Sequence, residues 1–349
     1  MLLLEYTPHF LLEDATALAN KLYGLKATAQ SLPSERDQNF LLETEAHERF
    51  VLKIANALEE RSLLEAQNAA LVHIGRRFSF CPRVIPTSAG DEITQTIAPS
   101  GTRNLVRLVT YLPGMPLAKI ETHSGQILKD LGRGLGQLDE ALATFDHPAI
   151  HRDFHWDLAN GLRVIGAYGP LIDDRELKAL VDNYAGEFER ELVPILPTLR
   201  RSPIHNDAND HNVLVEGSDD SSLRVVGLID FGDMVHSYTV GDLAVAIAYA
   251  ILDKPDPLAA AAEVAAAYHA ELPLNDAELK ALFDLVCMRL CMSVCHAAQQ
   301  QRRRPEDDYL SISQQAIREV LPRLAVIDRD DAAAVLRQAC GLPHTLLKK

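Results

Sequence analysis

The chain has 349 residues, 47% of them apolar, so it can bury a large folded core. Its formal net charge is −15, and because nucleic acids and anionic membranes both reward positive charge, we expect neither as a partner. The acidity favours a cationic or amine-bearing small molecule as the substrate, although it also serves solubility. The five cysteines are odd in number, which indicates reduced thiols and a cytoplasmic protein.

The first third of the chain predicts a small β-rich lobe. In its second strand Leu52 and Ile54 share one face, whereas Lys53 lies on the other. Asn56 and Glu59 have the spacing of a capping box, so a helix is expected to begin there. The elements expected in this lobe are a helix over 11–22, strands over 39–42 and 50–55, the helix after residue 56, and strands over 83–86, 92–98 and 104–112.

The dipeptide Pro113-Gly114 marks the expected boundary between two domains. Beyond it the chain predicts helices over 127–142, 176–192, 240–251, 257–269, 276–300 and 310–320, interrupted by a strand-rich segment over 211–230. The sequence therefore predicts an α+β fold of two lobes. A small lobe over 1–112 is joined by a short hinge to a larger, mainly helical lobe over 113–349.

The most informative segment surrounds a predicted β-hairpin. Two apolar runs, over 213–215 and 225–229, flank a set of turn-forming residues. Asn212 comes just before the first strand, and Asp230 comes just after the second. Because those two ends of an antiparallel hairpin are neighbours, an amide oxygen and a carboxylate should meet at one point. Oxygen ligands of this kind suit Mg²⁺, which takes the rest of its shell from water and substrate phosphates.

Asp207 lies five residues before Asn212, in the loop that leads to the same point. A carboxylate there can accept the proton of an attacking hydroxyl group, and phosphoryl transfer otherwise depends on positioning and charge neutralisation. Lys53 is the candidate cation for the α- and β-phosphates, against the alternative that it is a solvated lysine. The His-x-Asp-x-x-x-x-Asn pattern, the hairpin and the following Asp-Phe-Gly together favour a kinase over a loop stabilised by Asx turns.

Two further His-x-Asp pairs, over 151–153 and 155–157, are not expected to form the catalytic loop. Leu158 and Leu162 take the positions where the asparagine would stand, and no hairpin with a second carboxylate follows. The acids of these pairs could line the substrate side of the site. Alternatively, Trp156 is an ordinary core residue with polar neighbours.

At these residues the chain resembles the aminoglycoside phosphotransferase and choline kinase family, which has a protein-kinase-like fold. The resemblance extends over nearly the whole chain. More narrowly, the chain looks like hydroxylysine kinase and its bacterial relatives. The segments that carry this similarity are 34–40, Phe50-Val51-Leu52-Lys53-Ile54, 65–68, Trp156-Asp157-Leu158 and Gly227-Leu228-Ile229-Asp230-Phe231-Gly232-Asp233-Met234.

The resemblance implies a role for each residue that matches the family's motifs. It implies that Asp207 is the catalytic base, that Asn212 and Asp230 hold Mg²⁺, and that Asp242 braces the catalytic loop. It also implies that Lys53 binds phosphates with Glu65 as its partner. The loop over 34–39 would cover the nucleotide, and the backbone over 109–112, with Tyr111 and Leu112, would hold the nucleotide base. Two features depart from the family. The loop over 34–39 lacks a Gly-rich pattern, and helical spacing places Gln67 rather than Glu65 on the apolar stripe.

The predicted function is that of a small-molecule kinase, which transfers the γ-phosphate of ATP or GTP to a hydroxyl group of an amine-bearing metabolite. By resemblance, 5-hydroxylysine is the leading acceptor. An aminoglycoside or another amino alcohol is the alternative, because the same core residues would serve both. A hypothesis of another class is a nucleotide-binding module without catalysis, and the joint presence of Asp207, Asn212, Asp230 and Lys53 argues against it.

Overall fold

The computed structural model describes residues 7–34, 36–98, 101–120, 123–219, 222–302 and 314–343. The chain divides into two units. The first comprises Met1–Pro113 and His147–Ile150, and the second comprises Gly114–Asp146 and His151–Lys349.

The first unit is mainly a sheet and the second is mainly helical, which confirms the predicted α+β class. The described strands are β1 (Ala27–Leu32), β2 (Gln38–Thr44), β3 (Arg49–Ile54), β4 (Val84–Ile85), β5 (Thr94–Ile97), β6 (Arg103–Thr110), β7 (Met115–Pro116), β8 (Arg201–Ile204), β9 (Val213–Glu216), β10 (Arg224–Leu228) and β11 (Val235–Tyr238). The described α-helices are α1 (Leu12–Tyr23), α2 (Arg61–Gly75), α3 (Gly125–Leu142), α4 (Gly161–Tyr168), α5 (Arg175–Glu187), α6 (Thr239–Ala250), α7 (Pro257–Glu271), α8 (Asp276–Gln301), α9 (Gln314–Ala325) and α10 (Arg329–Ala339). The start of the helix predicted over 310–320 lies outside the described residues.

The first unit is built on an antiparallel sheet with the strand order β1-β2-β3-β6-β4, and β5 also pairs with β6. Its register places Lys53 opposite both Asn39 on β2 and Arg107 on β6. Residues directly opposite one another in antiparallel strands lie on the same face, so Lys53 and Arg107 share one face of the sheet. On the other face, Leu52 and Ile54 belong to the core cluster against which α1 packs.

Helix α2 begins at Arg61, later than the capping-box pattern predicts, and the prediction of its start is wrong. The side chain of Asn56 is engaged in a turn instead. Its Oδ1 accepts the N–H of Leu58 at 3.0 Å, and its Nδ2 donates to the carbonyl of Arg36 at 3.2 Å. Because Asn56 is held in that turn, Glu60 is the residue that precedes the helix.

Helix α8 is the central helix of the second unit, and every residue from Ala281 to His296 is buried. It begins with a capping box between Asn275 and Glu278. Among the described helices it alone is long and apolar enough, by length and composition, to cross a membrane. Because 89% of that apolar window is buried inside the protein, its apolar surface is already covered by the fold.

Helices α3 and α7 approach each other closely at two glycines. A Cβ atom at Gly132 would lie 2.2 Å from the carbonyl oxygen of Val264, and one at Gly136 would lie 2.9 Å from that of Tyr268. The two helices therefore pack backbone against backbone, at a separation that no larger residue permits without a shift.

Candidate active site

Four strands of the second unit are nested so that two loops run side by side. Strands β9 and β10 form the predicted hairpin, and outside it β8 pairs with β11, with Ile204 opposite Val235. One loop connects β8 to β9 and carries Asp207, while the other connects β10 to β11 and carries Asp230. The predicted hairpin is confirmed, whereas its outer strand pair was not predicted.

The two ends of the hairpin lie next to each other, as its sequence predicts. The N–H of Ile229 donates to the carbonyl oxygen of Asn212 at 3.0 Å. The residue before Asp230 is thereby bonded to Asn212 through the main chain. The imidazole of His205 adds a second link between the loops, since its Nε2 lies 3.1 Å from the carbonyl oxygen of Ile229.

The loop before Asp207 is braced by Asp242, at the start of α6. The two oxygens of this fully buried carboxylate accept the backbone N–H groups of His205 at 3.0 Å and of Asn206 at 2.7 Å. Asn206 has a φ of 66°, a left-handed conformation that few residues other than Gly, Asn and Asp tolerate. The brace therefore holds a strained turn directly before Asp207.

The carboxylate of Asp207 is fixed by amide groups from its own loop. Its Oδ1 accepts from Nδ2 of Asn209 at 2.9 Å, and its Oδ2 accepts from Nδ2 of Asn212 at 2.7 Å. The same nitrogen of Asn212 also donates to the carbonyl oxygen of Asp207 at 2.9 Å. Because the amide nitrogen of Asn212 is occupied in this way, its oxygen is the atom left for a ligand.

Asp230 lies in the second loop with φ 66° and ψ 82°, and its side chain accepts the N–H of Gly232 at 3.2 Å. The side chain of Arg152 holds this loop through the main chain. It donates to the carbonyl oxygens of Gly232 at 2.9 Å and of Met234 at 3.0 Å. Asp230 itself is exposed, so its carboxylate can meet a ligand from solution.

Negative charge gathers at this point. Burial and then the neighbouring carboxylate of Asp233 raise the pKa of Asp207, with a smaller contribution from Asp230, while Arg289 acts in the opposite direction. Such a cluster is stabilised by a divalent cation, and the oxygens of Asn212 and Asp230 are hard ligands of the kind that Mg²⁺ prefers. Within the described ranges no three His, Cys, Asp or Glu side chains are grouped to hold a metal by themselves. The donor set suits an ion that keeps waters and substrate oxygens.

In the first unit, the face of the sheet that carries Lys53 also carries a buried arginine, which sequence reasoning missed. Arg107 is 4% exposed and donates to Oδ1 of Asn68 at 3.0 Å and to Oε1 of Gln67, both on α2. Helical spacing correctly placed Gln67 on the inner side of that helix. Glu65 is half exposed and accepts from Arg61 at 2.8 Å, so its predicted partnership with Lys53 stays a prediction.

The predicted nucleotide-binding backbone follows the end of β6. The N–H of Tyr111 donates to the carbonyl oxygen of Arg49 at 3.1 Å, and the guanidinium of Arg49 lies 5.8 Å from the centre of the Tyr111 ring. These contacts fix the conformation of Tyr111, the neighbour of Leu112. In the loop predicted to cover the nucleotide, Glu35 lies outside the described residues.

The acids of the two further His-x-Asp patterns, Asp153 and Asp157, have partners within the second unit, and their place on the substrate side of the site stays a prediction. Asp157 is buried, caps a short 3₁₀-helix through the N–H of Ala159 at 3.0 Å, and accepts from the hydroxyl of Ser237. Asp153 is exposed and pairs with Arg163. These bonds give both acids structural partners. Sequence reasoning missed that this segment contacts Arg289. The only sign of that residue in the sequence is that an arginine stands inside an apolar helix.

Known proteins match this chain over most of its length. The phosphotransferase enzyme family matches residues 28–282 of the chain. Hydroxylysine kinase of Danio rerio is 32% identical over 338 residues, which cover 94% of this chain and 95% of that protein. Hydroxylysine kinase of Mus musculus is 33% identical over 329 residues, which cover 88% and 87% respectively.

Solved structures show the same fold at low sequence identity. An amicoumacin kinase superposes with a TM-score of 0.69 at 15% identity, covering 92% of this chain and 97% of that chain. A microcompartment-associated aminopropanol kinase superposes with a TM-score of 0.66 at 19% identity, with the same coverage.

The nested strands and their polar loops thus belong to a phosphotransferase that acts on hydroxyl groups. The chain is a member of the phosphotransferase enzyme family, which confirms the resemblance found in its motifs. It is a small-molecule kinase.

Proposed function

We propose that this kinase phosphorylates the hydroxyl group of an amine-bearing amino acid, with 5-hydroxylysine as the first candidate, and that it uses Mg²⁺ with ATP or GTP. The observation that carries the chemistry is the meeting of Asp207, Asn212 and Asp230 on two adjacent loops. The observation that supports the acceptor is the identity of 32–33% with proteins named hydroxylysine kinase over at least 86% of the chain.

The proposed roles follow from the atoms that each side chain leaves available. Asp207 receives the proton of the acceptor hydroxyl as the acceptor oxygen bonds to the γ-phosphorus and the nucleoside diphosphate leaves. Asn212 and Asp230 would hold Mg²⁺, which would neutralise phosphate charge. Lys53 would bind the donor phosphates, and Glu65 would act as its partner. The backbone of Tyr111 and Leu112 would hold the base.

The proposal also includes a cytoplasmic location and an acceptor that carries an ammonium group. All five cysteines are free thiols, which is typical of a cytoplasmic protein. The net charge of −15 favours an acceptor with an ammonium group, and it disfavours nucleic acid and anionic membranes as partners.

The test is a turnover assay with purified protein, Mg²⁺, either ATP or GTP, and a panel of hydroxylated amines. The panel contains 5-hydroxylysine, homoserine, choline, ethanolamine and kanamycin, and the readout is release of nucleoside diphosphate. Release that depends on 5-hydroxylysine is the expected result. Turnover of kanamycin or of an amino alcohol in its place would keep the kinase chemistry and overturn the acceptor.

The Asp207→Asn variant tests the proposed base within the same assay. It keeps the shape of the side chain but cannot take up the proton, so we expect kcat to fall by about 10²–10⁴-fold. Asp182→Asn, at an exposed aspartate that pairs with Lys178, is the matched control and should leave kcat unchanged. Full activity of Asp207→Asn would show that the base is another residue.

A further inference from the structure

Arg289 carries a buried positive charge in the second unit. It lies on α8, and 2% of its side chain is exposed. Taking a guanidinium out of water costs several kcal/mol, so a fold retains one where its charge is used. One of its donors, Nε, is buried and has no hydrogen-bond partner among the described residues. The side chain is therefore held at a cost that the packing of α8 does not explain.

The other donors of Arg289 point at the proposed base and at the segment beside it. Nη2 donates to Oδ1 of Asp207 at 3.2 Å, and Nη1 donates to the carbonyl oxygen of Trp156 at 3.2 Å. The guanidinium carbon lies 4.4 Å from the centre of the Trp156 ring and 5.7 Å from that of Tyr249. The two rings restrain the plane of the guanidinium through cation–π contacts.

These bonds distinguish the two oxygens of Asp207. An ionised carboxylate offers roughly four acceptor positions, two on each oxygen. Arg289 and Asn209 both donate to Oδ1, whereas Asn212 donates to Oδ2. Oδ1 is then saturated, and the free position lies on Oδ2. Without Arg289, Asn209 is the one donor left on Oδ1 among the described residues, so each oxygen would have an open position and either could receive the proton.

We propose that Arg289 is a positioning residue of the phosphotransfer reaction, which holds Asp207 so that Oδ2 is the oxygen that receives the proton of the acceptor hydroxyl. The O–H bond of the acceptor breaks, its proton bonds to Oδ2, and the acceptor oxygen bonds to the γ-phosphorus as the diphosphate leaves. Trp156 and Tyr249 serve this function by fixing the guanidinium. The proposal rests on the role of Asp207 given under the proposed function.

The first test replaces Arg289 by residues that keep either its charge or its volume. Arg289→Met loses the charge and the hydrogen bonds, and we expect kcat to fall by about 100-fold while KM for the nucleotide is unchanged. Arg289→Lys keeps the charge but not the fork, and its loss should be intermediate. Guanidinium chloride added to Arg289→Ala should restore part of kcat, because the small cation can occupy the vacated volume.

The matched control is Arg329→Met. Arg329 also lies in the second unit, where it donates to Oδ1 of Asp284 at 2.6 Å and to Glu187. Neither partner lies on the loop that carries Asp207 or on the loop that carries Asp230. Its loss should lower the thermal midpoint and leave kcat unchanged. If Arg289→Met fails to fold, Arg289→Lys and the rescued Arg289→Ala still report on kcat.

A double-mutant cycle separates this proposal from the proposed base. If Arg289 acts through Asp207, adding Arg289→Met to Asp207→Asn should cause no further loss of kcat. If the losses of kcat in the two single variants instead multiply in the double variant, Arg289 has an independent role and the proposal is overturned. An inactive Asp207→Asn beside a normal Arg289→Met would retain the base and reject the positioning residue, whereas an active Asp207→Asn would reject the base itself.

Discussion

The backbone of Asp230 shows how a single residue type serves both conformation and chemistry. Its φ of 66° lies in the left-handed region, which Asn and Asp tolerate better than other non-glycine residues because of their short polar side chains. Asp therefore supplies a carboxylate at a position where Glu would be strained. Because Asn tolerates the same backbone conformation, replacing Asp230 by Asn would remove the charge without moving the main chain.

Asp230→Asn should keep the loop and weaken Mg²⁺ binding. We expect the Mg²⁺ concentration for half-maximal turnover to rise about tenfold or more, because a carboxylate ligand becomes a neutral amide. The measurement is a Mg²⁺ titration of turnover at saturating nucleotide. Asp253→Asn, at another aspartate with a positive φ of 58°, is the control that should show the wild-type titration. An unchanged titration for Asp230→Asn would remove Asp230 from the metal site.

His296 makes stability depend on pH. Burial first, and then the positive charges of His155 and Arg289, lower its pKa to about 3, against the opposing effects of its bond to the His155 carbonyl and of Asp233. The folded protein holds this histidine neutral, whereas the unfolded chain protonates it near pH 6.5. The stability that it contributes is therefore complete above pH 6.5 and is lost as the pH falls from 6.5 towards 3.

We expect this histidine alone to cost the wild type about 1.4 kcal/mol of unfolding free energy between pH 7.5 and pH 5.5. Urea denaturation at both pH values measures the change. His296→Gln cannot be protonated and can still donate to the His155 carbonyl, so its loss should be smaller by that amount. Equal losses for the two proteins would show that His296 is not held neutral.

At the scale of single residues, the sequence predicted those side chains that a local pattern marks. Asp207, Asn212 and Asp230 are found through a hairpin and a fixed spacing, and the structure brings them together as the hairpin requires. Arg289 could not be found, because its partner lies 82 positions away and nothing in an apolar helix signals that contact. Arg107 was missed for a similar reason, since its partners lie on a different element.

Helix packing in the second unit depends on two glycines of α3. Because a Cβ at Gly132 would lie 2.2 Å from the Val264 carbonyl, the facing helix would have to move to admit any side chain. We expect Gly132→Ala to lower the free energy of unfolding by about 1–3 kcal/mol or more, through overpacking. Thermal or urea denaturation measures the loss.

Gly166 in α4 offers the matched control. A Cβ there meets nothing within 4 Å, so Gly166→Ala should stabilise the protein by up to about 1 kcal/mol through the better helix propensity of alanine. Equal effects at the two positions would show that α3 and α7 do not pack as closely as described.

The long helices and the apolar hairpin were predicted well, whereas short and weakly patterned elements were not. Strand β8 contains Pro203, which lowers its strand signal, and its partner β11 has four residues. Helix α4 has eight residues with two glycines, and α10 buries only Ala332 and Leu336. These elements form because the tertiary structure holds them, and a local pattern cannot report that.

At the scale of the whole molecule, the net charge of −15 should act on substrates before they touch the site. An acidic surface attracts a cationic acceptor, and salt screens that attraction over about 10 Å at 0.1 M ionic strength. 5-Hydroxylysine carries a net positive charge at about pH 7.5. We expect its KM to rise between roughly 50 and 500 mM KCl, because salt screens its attraction to the protein. Homoserine, which has no net charge, should respond much less. Equal responses of the two substrates would show that charge acts on the acceptor only within the site.

The α+β class and the family followed from the sequence because the strongest motif lies within one continuous segment of the chain. The choice of acceptor is a different matter, since the residues that would bind it come from separate segments without a shared spacing. The relatives that are 32–33% identical therefore carry that part of the proposal, and the turnover panel tests it.

Trp156 is the only tryptophan in the chain, and its indole lies against the guanidinium that bonds to Asp207. Indole emission responds in wavelength and intensity to charges close to the ring. The enzyme thus contains its own optical reporter, free of background from any other indole. Occupancy by nucleotide or acceptor that shifts Arg289 should be visible as a change of intrinsic fluorescence, so binding could be titrated in unlabelled protein without waiting for turnover.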